Sequence, residues 1–130
     1  MKLNLLHVFF CVSGILLSVS SLAQTAEQAA FNEKESLAKA RMIYKKLKQG
    51  EDFETLARVY SNDPGSAKVG GELGFAKPGK MVPPYEKVAL SLNEGEISKP
   101  VKSEFGYHII QLLEKSSDGY KSRHILIRAQ

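Results

Sequence analysis

Two strongly apolar runs of strand length lie near the end of the chain, at 107–113 and 124–127, and a histidine stands at or next to the start of each. Segment 115–122, rich in Ser, Asp and Gly, is typical of a loose hairpin connection. Alternate side chains of a strand share one face, so His108 lies with Ile110 and Leu112, and His124 lies with Leu126. If the strands pair antiparallel, both imidazoles can lie on the same face of a sheet.

Helical patterns come before these strands. Asn32 and Glu35 resemble a capping box, apolar residues follow at helical spacing, and Gly50 is a plausible stop. Asp52 can cap a shorter second helix, and Pro84 suits the first turn of a third. Pro100 breaks segment 97–102, which predicts an edge strand at best. The sequence thus predicts an α+β fold with helices packed on an antiparallel sheet.

The N-terminus has the pattern of a secretory signal peptide. Lys2 is followed by an uncharged apolar run at 5–19, and small residues allow cleavage after Ala23. The run is shorter than the roughly 20 residues of a spanning helix, although a retained anchor is the alternative. We expect a signal peptide at 1–23, a polar segment at 24–32 and one domain at 33–130. The mature protein would be periplasmic or secreted, or peripheral to the envelope, with no stable membrane anchor.

Composition argues against several other classes of protein. Cys11 is the only cysteine and would leave with the signal peptide, so neither a disulfide nor a structural zinc site is expected. The net charge of +4 is spread along the chain in mixed-sign stretches, which does not favour nucleic-acid binding. The carboxylates Glu104, Glu114 and Asp118 have no metal-ligand spacing relative to the histidines. We expect no metal, no cofactor and no nucleic-acid partner.

Spacing alone leaves the role of the histidines open. Each can be a buried, hydrogen-bonded core residue, or the two together can belong to a functional site. Five short sequence motifs follow one another at close spacing, and their order is more specific than any one of them. They are SNDPGS at 61–66, GGELGF at 70–75, GKMVP at 79–83, GEIS at 95–98 and FGYHII at 105–110. Together they resemble the parvulin family of peptidyl-prolyl cis/trans isomerases, or rotamases, continuously from about Ala38 to Glu114.

The resemblance implies a four-stranded antiparallel sheet surrounded by helices, with a groove for an X-Pro dipeptide. It also implies a pair of histidines beneath the groove with two polar partners, and an apolar pocket for the proline ring. The implied catalytic residues are His108, His124, Asp63 and Ser103. The implied substrate-binding residues are Leu73, Met81 and Tyr85. The alternatives are an Asx-turn for Asp63 and ordinary core or surface positions for the pocket residues. Tyr85 departs from the more usual Phe; we expect the added hydroxyl to be tolerated if it reaches water, with an altered pocket depth as the alternative.

These residue types suit rotation about a prolyl bond. The rotation loses amide resonance against a barrier of about 18–20 kcal/mol but breaks no bond, so it needs neither nucleophile nor cofactor. An apolar cup that favours the twisted amide over the planar one is sufficient in principle. We therefore expect a monomeric isomerase that acts on exported unfolded or folding polypeptides; the alternative is a non-catalytic chaperone or binding module.

One departure from the family pattern concerns strand order. Parvulin domains begin with a strand like the one at 124–127, ahead of the first helix, and nothing of that kind precedes Lys34. Either the domain is permuted, with the strand at 122–128 filling the vacant position, or the chain is a piece of a longer multi-repeat foldase in which His124 begins a second repeat. We expect the strand to dock in either case, since a free apolar strand promotes aggregation. The usual basic loop after the first strand is missing, so we expect no requirement for phosphorylated substrates.

Overall fold

The computed structural model describes the backbone from Leu5 to Gln130 and the side chains from Ser21 onward. In this part of the chain four helices and four strands follow one another, with the bounds α1 Leu5–Lys48, α2 Phe53–Tyr60, α3 Pro64–Ala67, β1 Glu72–Ala76, α4 Pro83–Ser91, β2 Val101–Ser103, β3 Gly106–Lys115 and β4 Tyr120–Ile127. Most of the predicted signal peptide lies outside the described side chains, and the domain boundaries stay a prediction. No helix that could be searched is long and apolar enough to cross a bilayer.

Helix α1 differs from the prediction at its start. Asn32 does not cap a helix but lies within one, and its side-chain amide donates a hydrogen bond to the carbonyl of Gln130. The preceding segment 24–31 is rich in Ala and Gln and has no Pro or Gly, so nothing in it interrupts a helix. The predicted end is confirmed, because α1 stops at Lys48 and Gly50 has a φ of 95°.

The predicted second helix is confirmed, and an edge strand forms, but it begins after Pro100 and not at Ile97, which makes only an isolated bridge to Gln111. Asp52 caps α2 by accepting a 2.8 Å hydrogen bond from the amide of Thr55. Strand β2 has three residues and lies at one edge of the sheet. Local signals for capping and for strand breaking were therefore sufficient at these places.

The sheet is antiparallel throughout and has the strand order β1-β4-β3-β2. Strands β3 and β4 form the predicted hairpin, in which His108 pairs with Leu126 and Ile110 pairs with His124. β4 therefore lies inside the sheet, hydrogen-bonded on both sides. That β4 takes the position of the usual first strand of a parvulin domain stays a proposal.

Each face of the sheet has its own core. Ile109, Ile125 and Ile127 are buried against α1 and α2 on one face. Ile110 and Leu112 are buried on the other face with Tyr85 of α4. Because side chains alternate along a strand, both histidines fall on the α4 face.

Two short segments between α2 and β1 pack directly on β4. The amide of Asn62 donates to the carbonyl of Leu126 (2.6 Å), and the hydroxyl of Ser61 accepts from the amide of Leu126 (3.1 Å). Gly71, with a φ of 88°, approaches so closely that an added Cβ would lie 2.4 Å from the carbonyl oxygen of His124. Only glycine fits there, because the left-handed backbone and the close approach each disfavour a side chain. These contacts place Asp63 beside His124.

Candidate active site

The two histidines form a contact pair on the α4 face of the sheet. Their Nδ1 atoms are 3.1 Å apart, and their rings are stacked with centroids 5.3 Å apart and planes 24° from parallel. His108 and His124 are 3% and 6% exposed, so the pair lies almost entirely out of water. The pair is diagonal in the sheet register, since each histidine is directly opposite an apolar residue of the other strand.

A polar side chain closes each end of the pair. The hydroxyl of Ser103 lies 2.5 Å from Nε2 of His108, and Oδ2 of Asp63 lies 2.8 Å from Nε2 of His124. Ser66 donates a further hydrogen bond of 2.6 Å to the same Asp63 oxygen. The structure thus brings all four predicted residues into one chain of hydrogen bonds. Ser66 was not predicted, although it stands three residues after Asp63, a spacing typical of local side-chain pairing.

The direction of this hydrogen-bond chain follows from its carboxylate end. An ionised Asp63 only accepts, so Nε2 of His124 donates to it and Nδ1 of a neutral His124 is an acceptor. Nδ1 of His108 then donates, and its Nε2 accepts the proton of Ser103. Ser103 in turn accepts from the amide of Phe105 at 3.1 Å. Every ring nitrogen of the pair therefore has a partner while both imidazoles are neutral.

Burial favours the same neutral state. Desolvation, helped by the neighbouring His124, lowers the pKa of His108 from 6.5 to about 4. Desolvation also lowers the pKa of His124, against the opposing effect of Asp63. For Asp63 itself, burial favours the protonated form, but hydrogen bonds from Ser66 and His124 hold its pKa below the usual value. The site therefore contains one carboxylate and two uncharged imidazoles near neutral pH.

These shifts predict that acid destabilises the fold. Between pH 6.5 and about 4 the unfolded chain binds a proton at His108 that the folded chain does not, so the stability due to the neutral ring is complete above pH 6.5 and is lost as the pH falls. The lowered pKa values of His124 and Asp63 act in the same direction. For His108 we expect a loss of about 3 kcal/mol in the free energy of unfolding.

Urea unfolding at about pH 7, 5.5 and 4.5 measures this loss. His108→Asn removes the titrating ring, so its free energy of unfolding should fall less steeply over the same range. Equal stability of the unmodified protein at the highest and lowest pH would contradict the prediction.

An apolar cup opens over the histidine pair. The cavity has a volume of about 380 Å³, and its wall includes all three predicted pocket residues, Leu73, Met81 and Tyr85, as well as both histidines and Asp63. Leu73 and Met81 are partly buried and pack on the α4 core. Other lining residues were not predicted from sequence: Lys80, Val82, Phe105, Leu126 and Arg128.

The hydroxyl of Tyr85 does not reach water, so the condition under which we expected it to be tolerated is not met, and a protein hydroxyl takes the place of water. Tyr85 is 2% exposed, and its hydroxyl lies 2.8 Å from the hydroxyl of Ser122 on β4. Its ring meets His108 and His124 edge-on, with centroid distances of 5.4 and 5.8 Å. Burial raises the pKa of the phenol, which stays protonated. Ser122 was missed, although it stands two residues before His124 and so shares its strand face.

The site holds few candidate metal ligands. In the part of the chain whose side chains are described, no three His, Cys, Asp or Glu side chains are grouped so that they could bind a metal ion. The groups that converge are one carboxylate, two imidazoles and hydroxyls, already joined to one another. Such a set can fix the shape and polarity of a groove floor.

Comparison with known proteins agrees with this geometry. The family model described as the PPIC-type PPIASE domain matches residues 7–116. The chain belongs to the parvulin family. The match ends before β4, the strand that carries His124.

Individual relatives are foldases and chaperones much longer than this chain. Foldase protein PrsA of Geobacillus kaustophilus is 53% identical over 76 residues, which cover 58% of this chain and 27% of that protein. Chaperone SurA of Chromohalobacter salexigens is 48% identical over 84 residues, 65% of this chain and 19% of that protein. The crystal structure of peptidylprolyl isomerase PrsA from Bacillus anthracis has a TM-score of 0.62 at 44% identity and covers 63% of this chain and 38% of that one. This parvulin chain thus spans about a quarter of the length of its curated relatives, or less.

Proposed function

We propose that this parvulin chain is a peptidyl-prolyl cis/trans isomerase that accelerates X-Pro rotation in unfolded or folding polypeptides, without a covalent intermediate or a cofactor. The observation that carries the proposal is the apolar cup opening directly over a buried pair of neutral histidines. Relatives named foldase and peptidylprolyl isomerase support the same activity.

The cup supplies the main catalytic effect in this proposal. Leu73 and Met81 grip the proline ring above Tyr85 and remove water from around the prolyl amide. The planar amide has more charge separation than the twisted one, so an apolar surrounding favours the twisted state. Binding that is stronger in the twisted state than in the planar state lowers the barrier.

The histidines act as a fixed floor rather than as a base and a nucleophile. All four of their ring nitrogens already have side-chain partners, so none is free to take a proton from a client. Asp63 sets the direction of the hydrogen-bond chain and contributes a negative field at one end of the cup. The roles of His108, His124, Asp63 and Ser103 are proposals of this kind.

Removing the carboxylate that orients the pair tests this assignment. Asp63→Ala leaves the buried N–H of His124 without its acceptor, and we expect kcat/KM to fall about tenfold. The assay couples isomerisation of a proline tetrapeptide to a protease that cleaves the trans form, with the chain from Gln24 onward. Asp118→Ala removes an exposed carboxylate and is the matched control, with activity unchanged.

The second candidate function is a binding module that holds unfolded chains without turnover, as the relatives named chaperone suggest. A folded protein that binds an unfolded client but gives no acceleration over the uncatalysed rate would favour this candidate. Activity of Asp63→Ala equal to that of the unmodified protein would instead contradict the role given to the carboxylate.

Export, oligomeric state and strand order belong to the same proposal. We infer that residues 1–23 direct the chain out of the cytoplasm and that it acts there, outside the cytoplasm, as a monomer on folding polypeptides.

We also infer that β4 takes the position of the usual first strand. In support, β4 lies outside the family match, and its continuation touches α1: Ser36 donates to the carbonyl of Arg128 at 3.2 Å.

A further inference from the structure

A second cavity lies beside the proline cup. It has a volume of about 330 Å³ and lies between α1 and the turn that joins β2 to β3. Phe105 and Arg128 line both cavities. The cup and the second cavity are therefore neighbours that share these two residues as a common wall.

Phe105 is the most apolar part of this wall. It is 47% exposed. Its amide donates to the hydroxyl of Ser103, which also bonds to His108. The backbone of Phe105 is thus held next to the histidine pair.

Two of the four charged residues that line the second cavity pair with each other. The carboxylate of Glu33 on α1 forms an ion pair with Lys102 and accepts a 3.2 Å hydrogen bond from the hydroxyl of Tyr107. These bonds hold the pKa of Glu33 below its ordinary value. For an apolar group of a ligand the cavity offers the side chain of Phe105 and the exposed methyl group of Ala29, beside the charged side chains of Glu104 and Arg128.

We propose that the second cavity is a subsite for an apolar side chain of the client polypeptide, a few residues from the proline that occupies the cup. The inference rests on the proposed function, because the client is the same chain in both cavities. An extended chain advances about 3.3 Å per residue, so a client segment of a few residues is long enough to reach from one cavity into its neighbour. The subsite would make the protein prefer long, apolar clients over isolated X-Pro dipeptides.

Two neighbouring alanines of α1 provide the test. Both are exposed, but Ala29 lines the second cavity and Ala30 does not. Ala29→Trp fills the cavity, whereas Ala30→Trp adds the same bulk elsewhere at the same cost in helix propensity. Circular dichroism and thermal melting check that both variants remain folded.

The probes are the peptide Ala-Ala-Pro-Phe and a ten-residue peptide that keeps this centre and has Leu and Phe on both sides. Burial of one apolar side chain predicts a kcat/KM about tenfold higher for the longer peptide with the unmodified protein. Ala29→Trp should lose this advantage and still turn over the short peptide, and Ala30→Trp should keep both. An unmodified protein without the advantage, or an Ala29→Trp variant that keeps it, overturns the subsite.

Binding of the labelled long peptide, measured by fluorescence anisotropy, separates this inference from the proposed function. If neither peptide is accelerated, the isomerase proposal fails. The subsite then still stands if Ala29→Trp weakens binding about tenfold relative to Ala30→Trp, and it fails if the two variants bind equally.

Discussion

Ending the chain at Lys115, before β4, is expected to abolish the folded state. β4 is hydrogen-bonded to β1 on one side and to β3 on the other, so its loss separates the sheet into two parts. Tyr120, Ile125 and Ile127 of β4 are at most 1% exposed. Each buried side chain of this kind contributes about 1.5–3 kcal/mol to stability. Together with the lost hydrogen bonds between strands, these contributions approach the free energy of unfolding of a typical domain, about 5–15 kcal/mol.

Circular dichroism and amide proton dispersion in NMR spectra measure the effect. A chain that ends at Arg128 keeps all of β4 and the hydrogen bond from Ser36, so it is the control and should stay folded. A folded protein without β4 would show that the strand is dispensable and would contradict the central place assigned to it.

Moving β4 from the C-terminal end to the N-terminal end of the chain tests the permutation proposal directly. The side chain of Asn32 already touches the carbonyl of Gln130, so a short Gly-Ser linker can join Gln130 to Glu33. A chain that runs from Ser117 to Gln130, through this linker, and on from Glu33 to Lys115 should fold and recover the isomerase activity. An unfolded product would show that β4 cannot serve as a first strand.

Replacing Met81 by alanine is expected to give the largest loss of activity among single substitutions that leave the protein folded. Met81 lines the cup and is only partly buried, so its removal takes apolar contact from the proline ring while most of the α4 core stays in place. Losing about 1.5–3 kcal/mol of this contact in the twisted state corresponds to a fall in kcat/KM of roughly 10- to 100-fold.

Met42→Ala is the matched control. Met42 is 41% exposed on α1 and lines neither cavity, so the same chemical change should leave kcat/KM unchanged. Leu73→Ala, on the opposite element β1, should repeat the loss seen with Met81→Ala. Full activity of both cup variants would show that the proline ring is not bound in this cavity.

Much of the sheet follows from local sequence. The alternation of side chains puts His108 and His124 on one face once the hairpin forms, and the apolar runs make the hairpin itself predictable. Caps such as Asp52 and stops such as Gly50 were recognisable because the interactions that favour them span only a few residues.

The hydrogen bonds within the site were not predictable from local sequence. The diagonal register of β3 and β4 decides that two Nδ1 atoms meet at 3.1 Å, and the contact of His124 with Asp63 then fixes both tautomers. The partner of the Tyr85 hydroxyl is Ser122, 37 positions along the chain, and no local pattern relates the two. Whether the Tyr85 hydroxyl reaches water was open at the level of sequence, because its burial depends on how α4 packs across the sheet.

The sequence by itself determined the α+β class, the faces of the strands and the family to which the chain belongs, because each depends on short-range periodicity or on ordered motifs. Only the tertiary structure decided that α1 continues through Asn32, that β4 lies inside the sheet, and that a second cavity lies beside the cup at Phe105. The physical reason is that these features arise from contacts between residues distant in the chain, whose free energies exist only after the helices and strands have packed together.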